Sequence, residues 1–237
     1  MNKLFLVILG AIIVISSGFV HVNNPSTDRF SYNQLIKADD VAKGLIEALN
    51  IGAQRSSEKA SAVDGFYKNA EIFIPFPKDA IKVKTALDKA GMKKQVAEFE
   101  LSLNRAAEEA CKKALPIMVD AVKGITFTDA MSIFQGSKDA ATLYLKEKTT
   151  AKLKETFKPV VKEAIAKVKV AKYWETLSNS YNKLNVLSGG KKINPDLEMY
   201  ITDKAIEGLF KLIAKEEEQI RVNPAARTTD LLKKIFN

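Results

Sequence analysis

Asn104, Arg105 and Glu108 stand in an otherwise Ala-rich stretch, LNRAAEEA at 103–110. Polar groups among small residues either line a pocket or close a buried hydrogen-bond network, and a buried Arg or Glu needs a partner in both cases. Further on, Lys146 to Lys172 holds nine lysines against three glutamates. On a helical wheel Lys154, Lys158, Lys162 and Lys169 lie on one side. Leu153, Phe157, Val160, Val161, Ala164 and Val168 lie on another. Such a basic amphipathic stretch either meets an anionic membrane or polymer, or is a solvated face whose lysine stems cover apolar surface. The segment Asp196 to Glu218 is oppositely biased, with seven acidic residues and three lysines, so the two segments can pair. Glu217 and Arg221 are spaced i, i+4 and predict an ion pair. The adjacent Glu216, Glu217 and Glu218 point in different directions on a helix and cannot all serve one site.

The candidate binding residues are therefore Asn104, Arg105, Glu108, Asp139, Lys154, Lys158, Lys162, Lys169, Arg221 and Arg227. The chemistry open to them is charge-assisted hydrogen bonding by Arg and Lys to an acidic group on a lipid, a wall polymer or an envelope protein. No catalytic residue is assigned. The one histidine is His21 and the one cysteine is Cys111. A Cys–His or Ser–His–Asp device thus lacks its base within the folded region, and a zinc site of His and Cys lacks its ligands. Neither metal nor cofactor is expected, and no intramolecular disulfide can form. Two alternatives stay open. One is a hydrolase that uses carboxylates alone, pairing Asp139 with Glu108. The other is a carrier with an apolar cavity between Ala-rich helices.

The first residues give an address. Lys3 precedes an uncharged apolar run from Leu4 to Val20, and the next charge is Asp28. This is the layout of a secretory leader, with Ser16 and Gly18 placed for a cut before Phe19. The run is at the short edge for a spanning helix of roughly 20 residues, and an uncleaved anchor is the alternative reading. No later stretch approaches spanning length without charges, so no transmembrane span is expected after cleavage. Export to the periplasm or cell envelope removes ATP, NADH and the reducing cytosol from the partners. The formal charge of +9 then favours acidic lipid, wall polymer or protein over nucleic acid.

The elements that must position these residues read as helix after helix. Residues 1–18 are the leader, 19–31 an extended or disordered segment, and 32–237 a single all-α multi-helix domain. Val41, Leu45, Ala48 and Leu49 mark an amphipathic helix from about Gln34 to Lys59. An irregular loop at 63–77 follows, with an Asp-Gly turn, two prolines, at most one short strand at Ile72-Phe73-Ile74, and four aromatics that plug the core. Helices are predicted over Lys78 to Ala90, closed by Gly91, and over Lys93 to Ala114. Pro116 should kink the latter or start a new helix to Lys123. Thr128 is placed to cap Asp129 to Phe134, and Ser137 a long helix from Lys138 that Pro159 breaks or bends before it resumes to about Leu184. Asn185 to Pro195 is the linker candidate; its Gly189-Gly190-Lys191 lacks the spacing of a phosphate-binding loop. A helix from Asp203 to Arg221 and a short one capped by Thr229 close the chain.

GLIEAL at 44–49, DGFYKN at 64–69, IPFP at 74–77, LNRAAEEA at 103–110, DAMSIFQGSKDAATLYL at 129–145 and the C-terminal block at 208–236 together resemble the exported bacterial family called domain of unknown function 4197. The resemblance covers nearly the whole chain after the leader. It implies a single family domain and export, and it assigns no catalytic residue. Members tend to be Gly- or Asp-rich around the turn that here reads Gln135-Gly136-Ser137-Lys138-Asp139, where Lys138 makes this copy less suited to a cation.

Overall fold

The computed structural model describes residues 25–167, 174, 178–179, 181–183 and 192–236, with side chains from residue 38 onward. The chain divides into a unit Met1–Ile36 and a unit Lys37–Asn237. The second unit is one all-helical domain, and no strand occurs among the described residues.

Helix α1 spans Pro25–Ser61. Its start lies ahead of Gln34, so residues 25–31 are helical where an extended or disordered segment is predicted. A proline is well suited to a first turn, because its missing N–H has no carbonyl to meet there. Leu45, Leu49 and Ala53 of α1 are buried. After the loop at 63–77, a 3₁₀ turn Lys78–Ala80 leads into α2, Ile81–Lys89. Gly91 has φ 81° and ends α2 in a Schellman motif: its N–H meets the Asp88 carbonyl at 3.2 Å and the Met92 N–H meets that of Leu87 at 2.9 Å.

Helix α3, Lys93–Cys111, stops short of Ala114, and α4, Ala114–Lys123, begins there. Pro116 sits in the first turn of α4, where its lost donor is no loss. Helix α5, Phe127–Gln135, is capped by Thr126 rather than Thr128. Thr126 and Asp129 bond each other's backbone N–H, a reciprocal box that Thr128 cannot form. Helix α6, Ala140–Ala166, is continuous across Pro159 and does not break there. The proline is on the exposed face, and the buried Phe157, Val161 and Ile165 hold the turns on either side. Helix α7 spans Leu197–Val222 and is capped by Asp196, six residues before the predicted start. A 3₁₀ turn Pro224–Ala226 and α8, Asp230–Ile235, follow, α8 being capped by Thr229 as predicted. The resumption of α6 toward Leu184, and residues 185–191 of the linker, lie outside the described residues.

Helices α6 and α7 form the most extensive described helix pair, and α6 also packs on α3, α4 and α5. The reason is legible in its buried residues: Ala141, Leu145, Thr149, Leu153, Phe157, Val161 and Ile165 recur every fourth position. Against 3.6 residues per turn a period of four drifts by about 40° each step, so the buried stripe winds round α6 and meets a different neighbour at each level. Helix α3 is nearly enclosed, with Phe99, Leu103, Ala106, Ala107 and Ala110 at 0% exposure. Phe76, Phe99 and Trp174 cluster with centroids 5.0–5.6 Å apart, Phe99 stacking on Trp174 and Phe76 meeting Trp174 edge-on.

Gly208 on α7 faces the loop. A Cβ there would lie 2.6 Å from Cε1 of Phe66 and 3.1 Å from Cβ of Ile72, whereas one at Gly52 on α1 would meet nothing closer than 3.9 Å. Gly208→Ala is therefore expected to destabilise, overpacking costing about 1–3 kcal/mol against a helix-propensity gain of about 1 kcal/mol. Gly52→Ala is expected to stabilise by up to about 1 kcal/mol. Denaturant midpoints of the two variants, moving in opposite directions, check both.

Candidate functional site

The loop at 63–77 is a run of turns in which the N–H groups of Gly65, Lys68, Asn69, Ile72 and Phe73 meet nearby backbone carbonyls, and its other buried amides need partners from elsewhere. They find them on one face of α3. Glu100, Asn104 and Glu108 stand at i, i+4, i+8, one above the other. Glu100 accepts from the Phe76 N–H at 3.2 Å. Asn104 accepts from the Ile74 N–H at 2.8 Å and donates to the Ile74 carbonyl at 2.9 Å. Glu108 accepts from the Phe66 and Tyr67 N–H groups at 3.0 and 3.2 Å. Ile72-Phe73-Ile74 is accordingly not a strand: the Asn104 amide gives Ile74 both bonds that a neighbouring strand would have given. The same device recurs where the linker is predicted. The Asn182 amide donates to the Ile193 carbonyl at 2.7 Å and accepts from its N–H at 2.6 Å, so Ile193 is docked and buried.

Arg105 completes the ladder. Its Nη1 donates to Glu108 Oε2 and its Nη2 to Asp64 Oδ1, both at 2.6 Å. Asp64 is held at φ 68°, a conformation that Asp tolerates better than most residues. At the next position a Cβ would come within 2.2 Å of the Lys59 carbonyl, which only Gly65 avoids. Hydrogen bonds from Lys68 and then Arg105 hold the Asp64 carboxyl below its usual range. The hydrogen bond to Glu108 raises the Arg105 guanidinium. Phe66 and Phe76 are buried as predicted, whereas Tyr67 and Phe73 are half-buried and pair with each other. Cys111 is buried, and burial, followed by the charge of Glu108, pushes its thiol far up. It is a packing residue, not a nucleophile.

Arg221 and Arg227 belong to a second network. Helix α6 has no cap of its own: Asp139 makes no cap bond, and Ser137 donates to Asp139 instead, at 2.6 Å. The carboxylate of Glu217 on α7 supplies the cap, accepting from the N–H groups of Ala141 and Thr142 at 3.1 and 2.8 Å and from the Thr142 hydroxyl at 2.7 Å. Negative charge is favoured at that end of a helix. Arg221 pairs with Glu217 at 2.9 Å, the predicted i, i+4 pair. It also donates to the Ile133 carbonyl at 3.1 Å, at the end of α5. Arg227 donates to the carbonyls of Ile220 and Arg221 at 3.1 and 3.0 Å, closing α7. Glu216 and Glu218 turn elsewhere, to Arg55 and Lys138, each at 3.7 Å.

The predicted cluster of Asn104, Arg105, Asp139, Arg221 and Arg227 is thus not brought together as one site: Asn104 and Arg105 hold the loop, Arg221 and Arg227 close helix ends, and Asp139 accepts from Ser137. Glu108 has both carboxylate oxygens engaged and shares no partner with Asp139. The pocket between α1, α7 and α8 measures about 20 Å³, room for about one water and not for a lipid chain. No group of acidic, His or Cys side chains that could hold a metal occurs among the described residues.

The lysines are placed differently. Lys154, Lys158 and Lys162 are exposed along α6 and line a shallow groove of about 590 Å³ against α7. Lys154 pairs with Asp203 at 2.9 Å, a link between the basic and acidic segments. Lys158 and Lys162 have no partner among the described residues. Lys169 lies outside the described residues. Sequence reasoning missed Glu100 and the capping role of Glu217. The first could have been found from its i, i+4 spacing to Asn104; the second rests on a contact with a helix 75 residues away and has no local signal.

A helical domain whose buried charges pin a loop and close helix ends is what these observations define. The family described as "Protein of unknown function (DUF4197)" matches residues 35–237, and the chain belongs to it. No curated protein and no solved structure matches the chain. No helix among the described residues is long and apolar enough to cross a membrane.

Asn104→Ala should destabilise by about 2–4 kcal/mol, since it orphans two buried backbone groups of Ile74, whereas Lys158→Ala should change stability by less than about 0.5 kcal/mol; urea unfolding compares them. Tyr200 gives a pH test. Its hydroxyl donates to the Pro75 carbonyl at 3.0 Å, and burial, then the charges of Glu207 and Glu100, push the phenol from 10.0 up to about 12. A raised folded value means stabilisation that is complete below pH 10 and lost as pH rises toward 12. Tyr200→Phe should flatten that alkaline decline in thermal midpoint.

Proposed function

We propose that this is an exported cell-envelope protein that binds rather than catalyses, and that its lysine-bearing α6 face takes an acidic group on a lipid, wall polymer or protein. The observation that carries this reading is the contrast among the candidates. Asn104, Arg105, Glu108, Arg221 and Arg227 are engaged inside the fold, whereas Lys158 and Lys162 are exposed, one turn apart and unpaired among the described residues. Such ammonium groups meet phosphate or carboxylate without first breaking an internal ion pair. Export is supported by the basic start, the uncharged apolar run and the small residues before Phe19. The carboxylate hydrolase has no free pair of carboxylates among its candidate residues to support it, and the carrier gains no support from the small apolar pocket between α1, α7 and α8.

The test replaces Lys154, Lys158, Lys162 and Lys169 together with Gln. Each lysine near an anionic surface contributes about 1 kcal/mol, so binding to anionic vesicles or wall fragments should fall at least about tenfold and lose its salt dependence. Unchanged binding would sink the reading.

A further inference from the structure

We propose that the groove between α6 and α7 is a site for an amine-bearing phosphate ester, the head-group chemistry of an aminophospholipid. The inference rests on the reading of α6 as a binding face and specifies its ligand. Three features of the groove carry it. The first is its charge. Lys158 and Lys162 bring to it ammonium groups unpaired among the described residues, and Glu198, in the first turn of α7, brings a carboxylate in the same condition. The other charges lining it are already matched, Lys154 by Asp203 and Glu155 by Lys152. A purely anionic ligand would meet repulsion at Glu198. A ligand with a phosphate and, two carbons away, a primary amine satisfies both signs.

The second feature is a hydroxyl without a partner. Thr202 lines the groove, is 3% exposed, and its Oγ1 makes no hydrogen bond. Three helix-interior threonines return this hydroxyl to the carbonyl four residues back, Thr85 to Ile81, Thr149 to Leu145 and Thr150 to Lys146, at 2.5–2.9 Å, and Thr142 gives its own to Glu217; the half-buried Thr156 makes no such bond. Nor does Thr202, although a buried polar group without a bond is disfavoured. A phosphate oxygen is an acceptor of the kind its proton lacks. The third feature is an apolar edge. Pro159 and Met199 line the same groove, and Met199 is 47% exposed, which suits the first carbons of an attached chain.

The experiment measures sedimentation of the full chain with phosphatidylcholine vesicles doped with phosphatidylethanolamine or, at equal mole fraction, phosphatidylglycerol. The apolar N-terminal run is common to all variants and cancels from the comparison. Wild type should prefer the ethanolamine lipid. Thr202→Val should weaken that binding by about tenfold, the loss of one hydrogen bond to a charged acceptor. Glu198→Gln should abolish the preference while leaving phosphatidylglycerol binding intact or stronger. Soluble phosphoethanolamine that competes, or binds where vesicles do not, keeps the chemistry and assigns it to a soluble ester. If both variants retain wild-type binding and preference while the four-lysine variant loses vesicle binding, the groove is overturned and the lysine face stands. If no variant, the four-lysine one included, alters binding, both fall.

Discussion

The fold depends on side chains that complete the backbone of segments with no regular partner. The loop at 63–77 supplies Phe66, Ile72, Ile74 and Phe76 to the core, and burying them carries their amides away from water. Each unmet amide would cost about 1–3 kcal/mol, enough for a few of them to cancel the stability of an ordinary domain. The ladder Glu100, Asn104 and Glu108 removes that penalty, because a rigid helix presents its acceptors one turn apart. Asn182 repeats the arrangement at Ile193. An amide side chain is well matched to such a segment. It has a donor and an acceptor side by side, as a neighbouring strand has, and it brings no charge that would need neutralising.

Charge is used in the same way at helix ends. Glu217, Arg221 and Arg227 each meet backbone groups that a helix leaves open at its termini. Polar residues that read in sequence as possible ligand contacts are therefore completing the protein's own backbone. On the solvated side of α6, by contrast, Lys158 and Lys162 lie beside α7 without a partner among the described residues, and Lys154 alone is paired across to Asp203.

The helical class, the loop at 63–77 and the final cap at Thr229 were legible because their signals are local: periodicity, Asp-Gly and proline punctuation, and a threonine before an acidic first turn. The Thr126 box was missed by two residues because Thr128 offers a similar local pattern. Pro159 does not break α6 because tertiary packing holds the helix across it: the ring is on the exposed face while Phe157, Val161 and Ile165 are buried on the other. Asn104 and Glu108 were recognised as either pocket or network, and the choice turned on where Ile74 and Phe66 come to lie. No window of sequence around α3 holds that information.

The closure of α6 by Glu217 has a consequence in time. An isolated helix begins with an unfavourable nucleus, and the cap for this one is 75 residues further along the chain. During synthesis, or threading from a pore, the start of α6 emerges well before the residue that completes it. The central helix of the domain therefore reaches its final register only when α7 arrives, so the α5–α6 corner is a late-forming part of the molecule. Premature compaction around α6 is disfavoured until most of the sequence is present.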